Sequence, residues 1–501
     1  MTLKIYNSLS KKKEKFTPVE EGKIKMYVCG MTVYSDAHIG HARTYFAFDV
    51  IRRYFEYKKY NVTYVQNITD VDDKIIAAAN QEGVDALEYS RRFTNRCLED
   101  LDKLGIRRAD LYPKASETIP DMIKLIQQII EKGYGYKSDG DVYFSVEKFK
   151  DYGKLSGQKL DELMSGARIE PGEEKHSPLD FALLKKAKPG EPSWDSPWGK
   201  GRPGWHIECS TMSSKYLGLP FDIHGGGMDL RFPHHENEIA QSEAATGKDF
   251  AKYWIHIGLL TVNGEKMSKS LGNIVNVKDL LKKWDPEVVR LFLVQAQYRS
   301  PPDFNENALK NAEKGLIRIQ RFKEKLESLS NNTLVDNVDE KGLSSKEKTY
   351  LKIIKDFNLE FEKAMDDDFN TPLAVSTIFD FINKSNRFFE KNTSPNKMLC
   401  GYALNILIKL GNILTLFQPV LGKDKILDDS VLFEKVKKIV LKYKKDINGK
   451  NIEKLLDLLL NIREEVRKKK DWNTADDIRK ELLEIGFEIQ DTSHGPIWRK
   501  K

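Results

Sequence analysis

The stretch from Ile24 to Asn67 confines this chain to few folds. Ile24 to Cys29 is a short apolar run that predicts a buried strand, and Gly30 to Gly40 predicts a loop. From His41 the pattern predicts a helix. Phe46, Val50 and Tyr54 form one apolar row at spacing four, Ala47, Ile51 and Phe55 form the next, and Lys58 and Lys59 close it. Asn61 to Asn67 predicts a second strand. Strand, loop, helix and strand make a βαβ unit, which requires a parallel sheet. In such sheets the turn before the helix binds nucleotide phosphates, because the helix N-terminus offers free N–H groups and a positive dipole end.

That turn carries His38-Ile39-Gly40-His41. Gly40 permits close approach of a nucleotide, and the imidazoles can donate to phosphate oxygens. Two surface histidines would look the same in isolation. A second short signal, Lys266-Met267-Ser268-Lys269-Ser270, follows a strand-like Ile257 to Val262 and an Asn263-Gly264 turn. Two lysines on one loop can clamp a triphosphate and follow its charge as pyrophosphate leaves. Alone, the pentamer reads equally as a basic surface loop.

Cys29, Cys209, His234 and Glu238 form a third group. His234 and Glu238 are four apart and would share a helix face. Two thiolates, an imidazole and a carboxylate suit zinc, but three separate segments must converge. Buried structural cysteines are the plainer alternative, and His206, His224, His235 and His256 are competing ligands. Gly225-Gly226-Gly227-Met228-Asp229 could cradle a ribose or be a flexible turn. Trp205 could equally belong to the core.

Around these signals the chain divides. Leu111 to Lys200 predicts a helix at Ile119 to Lys132, a strand at Asp141 to Phe144, and then turn-rich sequence rich in Pro, Gly and Trp. It reads as an insertion between two halves of a nucleotide-binding fold. After Pro301-Pro302, amphipathic helices are expected over Glu306 to Leu329, Ser345 to Met365 and Pro372 to Phe417. Asn331 to Gly342 and Lys423 to Ser430 read as linkers. Leu3 to Asn7 predicts a strand. No apolar run approaches the ~20 residues of a membrane span. Four cysteines in 501 residues are too few for a disulfide framework and fit a reducing cytoplasm. Of a net charge of +7, most lies after Val431, where 18 Lys or Arg face 13 Asp or Glu. That suits a polyanion-binding module or a solvated helical surface.

The two short motifs, in this order, are the signature pair of the class I aminoacyl-tRNA synthetases. Tyr27 to Tyr34, Asn67 to Lys74, Gly140 to Phe144, Pro203 to Ser210, Phe221 to Glu238 and Asp366 to Ala374 make the chain resemble the cysteinyl-tRNA synthetases nearly end to end. Leu184 and Tyr134-Gly135 depart from the usual Trp and His-Ala, both within the insertion. The resemblance implies an α/β, Rossmann-type class I catalytic domain split by an insertion, then an α-helical bundle and a small mixed C-terminal domain. The implied boundaries are 1–113 with 201–271, 114–200 for the insertion, 272–310 for a stem-contact region, 311–425 for the bundle and 431–501 for anticodon binding.

It further implies that L-cysteine is activated with ATP and passed to the 3′ end of cysteine tRNA. Carried over, it makes Cys29, Cys209, His234 and Glu238 ligands of one Zn2+, with Mg2+ accompanying ATP. Gly30, Thr32, Thr69 and Trp205 would line the cysteine pocket. Gly40, Thr44, Asn67, Gly227, Asp229 and Lys269 would hold ATP and the adenylate. His38, His41, Lys266 and Lys269 would handle the phosphates, and Arg467, Asp476 and Asp491 the anticodon. A cytoplasmic monomer is expected, with no membrane partner. The rivals are a cysteine ligase acting on an amino sugar, whose relatives lack the C-terminal domain, and a non-catalytic tRNA-binding paralogue, which should have lost motif lysines or histidines.

Overall fold

Four strands, Lys23–Thr32, Asn61–Thr69, Phe221–Gly227 and Ala251–Ile257, form the parallel sheet that the βαβ pattern demands. Across it the order is Ala251–Ile257, Phe221–Gly227, Lys23–Thr32, Asn61–Thr69, with every neighbouring pair parallel. Both faces are covered, which is why Met26, Tyr27 and Val28 are all buried instead of alternating. This is a computed structural model in which residues 2–166, 174–392, 394–418, 429–444, 452–485, 487–492 and 495–500 are described.

The connecting helix spans Ile39–Tyr57, and His38 caps it. It starts two residues earlier than hydrophobic spacing alone indicates, because the cap and not the apolar stripe sets its first turn. The first strand likewise runs past Cys29 to Thr32, held by pairing of Met31 and Thr32 with Ile68 and Thr69 beyond an irregularity at Val28. Chain direction diverges between Lys23–Thr32 and Phe221–Gly227. One strand's successor lies to one side and the other's to the opposite side, leaving a crevice at their C-terminal ends.

Between the sheet halves, the expected helix is present at Ile119–Glu131. The turn-rich reading of the following residues is corrected. Phe181–Lys186, Trp194–Ser196 and Gly199–Pro203 are strands that join Gly135–Ser138 and Asp141–Phe144 in a five-stranded antiparallel sheet. They are short and interrupted by Gly and Pro, so no period-two pattern long enough to recognise develops. Leu184 is buried there.

Beyond the sheet come the helices Pro286–Val294, Glu306–Ser330, Ser345–Asp366, Thr371–Glu390 and Lys397–Ile413. The amphipathic stretch expected over Pro372 to Phe417 is therefore two helices. Asn396 caps the second by accepting from Met398 N and Leu399 N. One apolar core runs from the Ile39–Tyr57 side of the sheet through these helices, and a second lies on the opposite face. A tight acidic turn, Asp366 to Phe369, joins two of them, with Asp368 and Phe369 both left-handed at φ +63° and +50°. Such backbone costs ~1–3 kcal/mol per residue and persists only where its surroundings over-determine it.

The chain forms two compact units, Met1–Gln418 and Pro419–Lys501. The second holds helices Asp429–Tyr443, Ile452–Lys468 and Trp472–Glu484 and the antiparallel pair Phe487–Thr492 and Gly495–Lys500, around a core including Val436, Leu456, Ile478 and Phe487. Most of the linker expected at Lys423 to Ser430 lies outside the described residues, and Asp429 and Ser430 already belong to a helix. Among the described residues no helix is long and apolar enough to cross a membrane.

Phe48 of the Ile39–Tyr57 helix packs directly on the sheet at Gly225, where an added Cβ would lie 2.1 Å from Phe48 Cζ and 3.0 Å from Ile255 O. Gly225→Ala should therefore overpack a closed core and destabilise the larger unit by about 1–3 kcal/mol, seen as a lower denaturation midpoint. An unchanged midpoint would show that Phe48 can move freely.

Candidate active site

Two chain segments meet at the mouth of the crevice. His38 and His41 form a capping box from imidazoles. His41 N donates to His38 Nδ1 at 3.3 Å and His38 N donates to His41 Nδ1 at 3.4 Å. The rings stack with centroids 3.6 Å apart. Because each Nδ1 accepts a backbone proton, each neutral ring carries its own proton on Nε2. Burial, with the nearby Lys269 charge, lowers the His38 pKa to about 4. Burial and His38 push His41 well below the ordinary range. At neutral pH the pair offers two uncharged N–H donors.

The Lys266–Ser270 loop is tied to this pair. Ile39 N donates to Val275 O, and Val277 N donates to Ala37 O, both at 2.8 Å. A Cβ on Gly40 would lie 3.0 Å from both the His38 ring and Met267 Cε, so glycine is what lets the two motifs touch. Lys269 Nζ sits 4.0 Å from the centroid of the Tyr34 ring. Asn273 staples the loop, accepting from Ser268 N at 2.8 Å and donating to Lys266 O at 3.1 Å. Tyr34 and Asn273 lie outside the group singled out from sequence. Tyr34's only signal was its place in a matching stretch, and Asn273 gave none.

Deeper in the crevice the first strand delivers Cys29, and the helices Trp205–Leu217 and His234–Thr246 deliver Cys209, His234 and Glu238. All four are buried. Cys29 Sγ lies 3.7 Å from Cys209 Sγ and 3.4 Å from Glu238 Oε1, and His234 Nε2 is 3.0 Å from Glu238 Oε1. One ligand atom from each residue falls within 4.8 Å of all the others. Cys29, His224, His235 and Glu238 meet the same measure. The two sets share Cys29 and Glu238, so they describe alternative places for one ion. His224 and His235 are fully buried and pack on Trp254, whereas His234 lies under Trp205, which is 41% exposed, with centroids 4.3 Å apart. The set with two thiols and His234 is thus the one separated from solvent by a half-exposed side chain, Trp205.

The donor chemistry fits a metal ion. Burial works to raise the Cys209 thiol, but the hydrogen bond with Cys29 and contact with His234 bring it down to about 6, while burial and Cys209 drive Cys29 well up. His206 Nδ1 lies 2.8 Å from His234 Nδ1, which leaves His234 Nε2 facing Glu238. Glu238 Oε2 is buried with His224 Nε2 3.2 Å away and no well-aligned hydrogen bond. A cation would satisfy that oxygen and a thiolate together.

The remaining expected residues ring this cluster. Gly30 N donates to Asn67 Oδ1 at 2.7 Å, and a Cβ on Gly30 would lie 1.6 Å from Asn67 O, so no other residue fits. Asn67 Nδ2 donates to Thr69 Oγ1, which donates to Glu208 Oε2 at 2.8 Å. Asn67 is 1% exposed and its amide is spent on these bonds. Glu208, outside the residues singled out above, is held well above the usual carboxylate range by burial and by Cys209. Thr32 pairs with Thr69 at the strand ends. Thr44 Oγ1 donates to Gly40 O. Gly227 ends its strand, and Asp229 follows exposed. In the second unit Arg467 pairs with Glu464 at 3.2 Å, Asp476 is exposed, and Asp491 stands opposite Pro496 in the strand pair. Trp472 is 57% exposed beside Lys468 to Lys470.

Comparison with known proteins adds three family matches. Residues 15–314 match the class I (C) tRNA synthetase catalytic domain, 360–418 the DALR domain, and 455–499 the cysteinyl-tRNA ligase anticodon binding domain. The cysteine--tRNA ligase of Thermodesulfovibrio yellowstonii is 50% identical over 508 residues, covering all of both chains. That of Thermococcus gammatolerans is 48% identical over 501 residues, covering all of this chain and 99% of the relative. The fold is shared with Mycobacterium tuberculosis methionyl-tRNA synthetase bound to methionyl-adenylate (TM-score 0.58, 17% identity, 81% of this chain and 93% of that one). It is shared also with Agrobacterium radiobacter LeuRS in its ternary complex (TM-score 0.59, 11% identity, 81% and 87%).

The neutral histidine pair has a direct test. The His38 imidazole should stay uncharged from pH 8 down to pH 5, gaining its proton only as pH falls through about 4. Carbon-detected NMR of labelled histidine would follow it. A midpoint near 6.5 would mean that the ring is open to solvent and the capping box absent.

Proposed function

The chain belongs to the cysteine--tRNA ligase family, and we propose that it selects cysteine with a zinc ion held by Cys29, Cys209, His234 and Glu238. It is an aminoacyl-tRNA synthetase that activates L-cysteine with ATP and transfers it to cysteine tRNA. The observation carrying the proposal is the convergence of two thiols, one imidazole and one carboxylate at the one crevice where a doubly wound sheet binds ligands.

Serine has nearly the shape of cysteine, and a site relying on shape and apolar contact separates such isosteres by only ~10². Bound zinc supplies a soft centre that takes a thiolate far better than a hydroxyl. The chain's part is to present the site. Trp205 and Thr69 wall the approach, and Gly30 keeps the strand's edge flat. Asn67 acts by holding Gly30 and Thr69 in place. Thr44 in the first turns of the Ile39–Tyr57 helix, Gly227 at the end of its strand and Asp229 just beyond it would hold the nucleoside. His38 and His41 offer neutral donors to the triphosphate brought in with Mg2+, and Lys266 and Lys269 meet the charge that develops at the α-phosphate.

In the second unit, Asp476 and Asp491 can accept from base amino groups and Arg467 can read a guanine edge, while the lysines supply salt-dependent phosphate affinity. The match at 455–499 covers the part that an amino-sugar ligase would lack. Both motifs keep their histidines and lysines, against a non-catalytic paralogue. Free cysteines at 29, 97, 209 and 400 support a reducing cytoplasm.

One zinc per purified chain is expected. Cys209→Ser should lose most of it and raise the KM for cysteine in ATP–pyrophosphate exchange. Full zinc content in that variant, by elemental analysis, would overturn the ligand assignment.

Lys269→Ala should slow cysteine-dependent pyrophosphate exchange on the order of 10²–10³-fold with little change in ATP KM, since its charge serves the transition state. Unchanged exchange would make the second motif mere surface.

A further inference from the structure

Asp368 is fully buried in the left-handed turn between helices Ser345–Asp366 and Thr371–Glu390. A carboxylate serving only to close that turn would accept from the turn's own N–H groups. Those bonded to Asp368 come from elsewhere. Its carboxylate accepts from Tyr6 N at 2.8 Å, Tyr298 Oη at 2.7 Å, and Arg299 Nε and Nη2 at 3.0 and 2.8 Å. Its carbonyl accepts from Gln297 Nε2 at 3.0 Å. Three consecutive residues, Gln297 to Arg299, are thus gripped from the helical side.

Two of these, Gln297 and Tyr298, and the following Ser300 are gripped from the catalytic side by Arg43, two places after His41. Its buried guanidinium donates only to carbonyls: Gly258 O at 3.0 Å, Gln297 O at 3.2 Å, Tyr298 O at 3.3 Å and Ser300 O at 2.6 Å. Arg43 also lies in the apolar junction lined by Phe46, Tyr298 and Phe369. A few residues on, Asp303–Phe304 pairs with Thr261–Val262, which pairs in turn with Glu265–Lys266. The Asp303 carboxylate accepts from Thr261 Oγ1 at 2.8 Å and from Gly264 N at 2.6 Å, at the tip of that hairpin. Lys269 is three residues further along.

We propose that Asp368 is a positioning residue for adenylation: through Gln297 to Phe304 it fixes the hairpin that places Lys266 and Lys269 over the histidine pair. Asp368 touches no substrate. It sets a distance, and a buried carboxylate held by several donors of fixed direction does this rigidly. The segment it holds is the only strand partner that the Thr261–Val262 edge has besides the hairpin itself among the described residues. The inference rests on the proposed role of Lys269, and deepens it by naming what aims that lysine.

The test is a double-mutant cycle in the full-length zinc-loaded enzyme. Asparagine tolerates left-handed backbone, so Asp368→Asn keeps the turn while removing the charge. It should lower kcat for cysteine-dependent pyrophosphate exchange on the order of 10–10²-fold, the cost of a misplaced catalytic group, with the KM for cysteine unchanged. Amide exchange over residues 265–272 should quicken. In a Lys269→Ala background, Asp368→Asn should cost nothing more, because the residue it aims is gone. Multiplying losses, or wild-type exchange kinetics in folded Asp368→Asn, would overturn the proposal. Tyr298→Phe, which deletes one bond to the carboxylate, carries the same cycle should Asp368→Asn fail to fold. The single Lys269→Ala variant separates the two failures. Full activity there overturns both readings, whereas impaired activity there with multiplying losses overturns only that of Asp368.

Discussion

The catalytic unit depends on one parallel seam between strands almost two hundred residues apart. Ile223, His224 and Gly225 lie opposite Met26, Tyr27 and Val28. On one side of the seam stand Cys29 and the histidine pair. On the other stand Gly225 to Asp229 and, a turn later, His234 and Glu238. No ligand cluster exists until the seam closes. A metal held across it ties the binding of the ion to the folding of the whole sheet. Long-range parallel pairing is also slow to form, since its loop entropy is paid before its contacts arrive. The glycines on the seam's second strand serve this closure, because Phe48 occupies the space a side chain at 225 would need.

Two electrostatic styles share the crevice. Near the mouth, burial strips charge from His38 and His41, so the phosphate end meets neutral donors with a fixed tautomer. The cations, Lys266 and Lys269, stand on the adjoining loop. At the floor the reverse holds, with a thiol and a carboxylate drawn toward their ionised forms by close partners. On the proposed roles each end suits its ligand, since a permanently charged imidazole at the mouth would hold pyrophosphate as tightly as ATP.

Much of this was legible in the residues. The βαβ unit could be read because apolar rows at spacing four, a capped turn and flanking apolar strands are local features. The His234–Glu238 face could be read for the same reason. The choice among eight Cys, His and Glu candidates could not, because it turns on which side chains open to the crevice, and the exposure of Trp205 decides that only once three segments have met. The strands at Phe181–Lys186, Trp194–Ser196 and Gly199–Pro203 escaped notice because their stability comes from neighbours, not from their own pattern. The division of Pro372 to Phe417 into two helices hung on Asn396 acting as a cap. Asp368 stood within a matching stretch and Arg43 just after the first motif, but nothing in their surroundings along the chain indicates that both grip Gln297 and Tyr298.

The seat of Lys269 on the Tyr34 ring has a kinetic meaning. A cation over an aromatic face at a partly open site is worth only ~0.5–1 kcal/mol. On the role proposed for Lys269, the ring would keep the lysine near the mouth between turnovers at a nearly free release, and a triphosphate with several negative oxygens would draw it away. The ring behaves as a soft latch. It shortens the lysine's search for the phosphates without adding appreciably to the barrier that the reaction must cross.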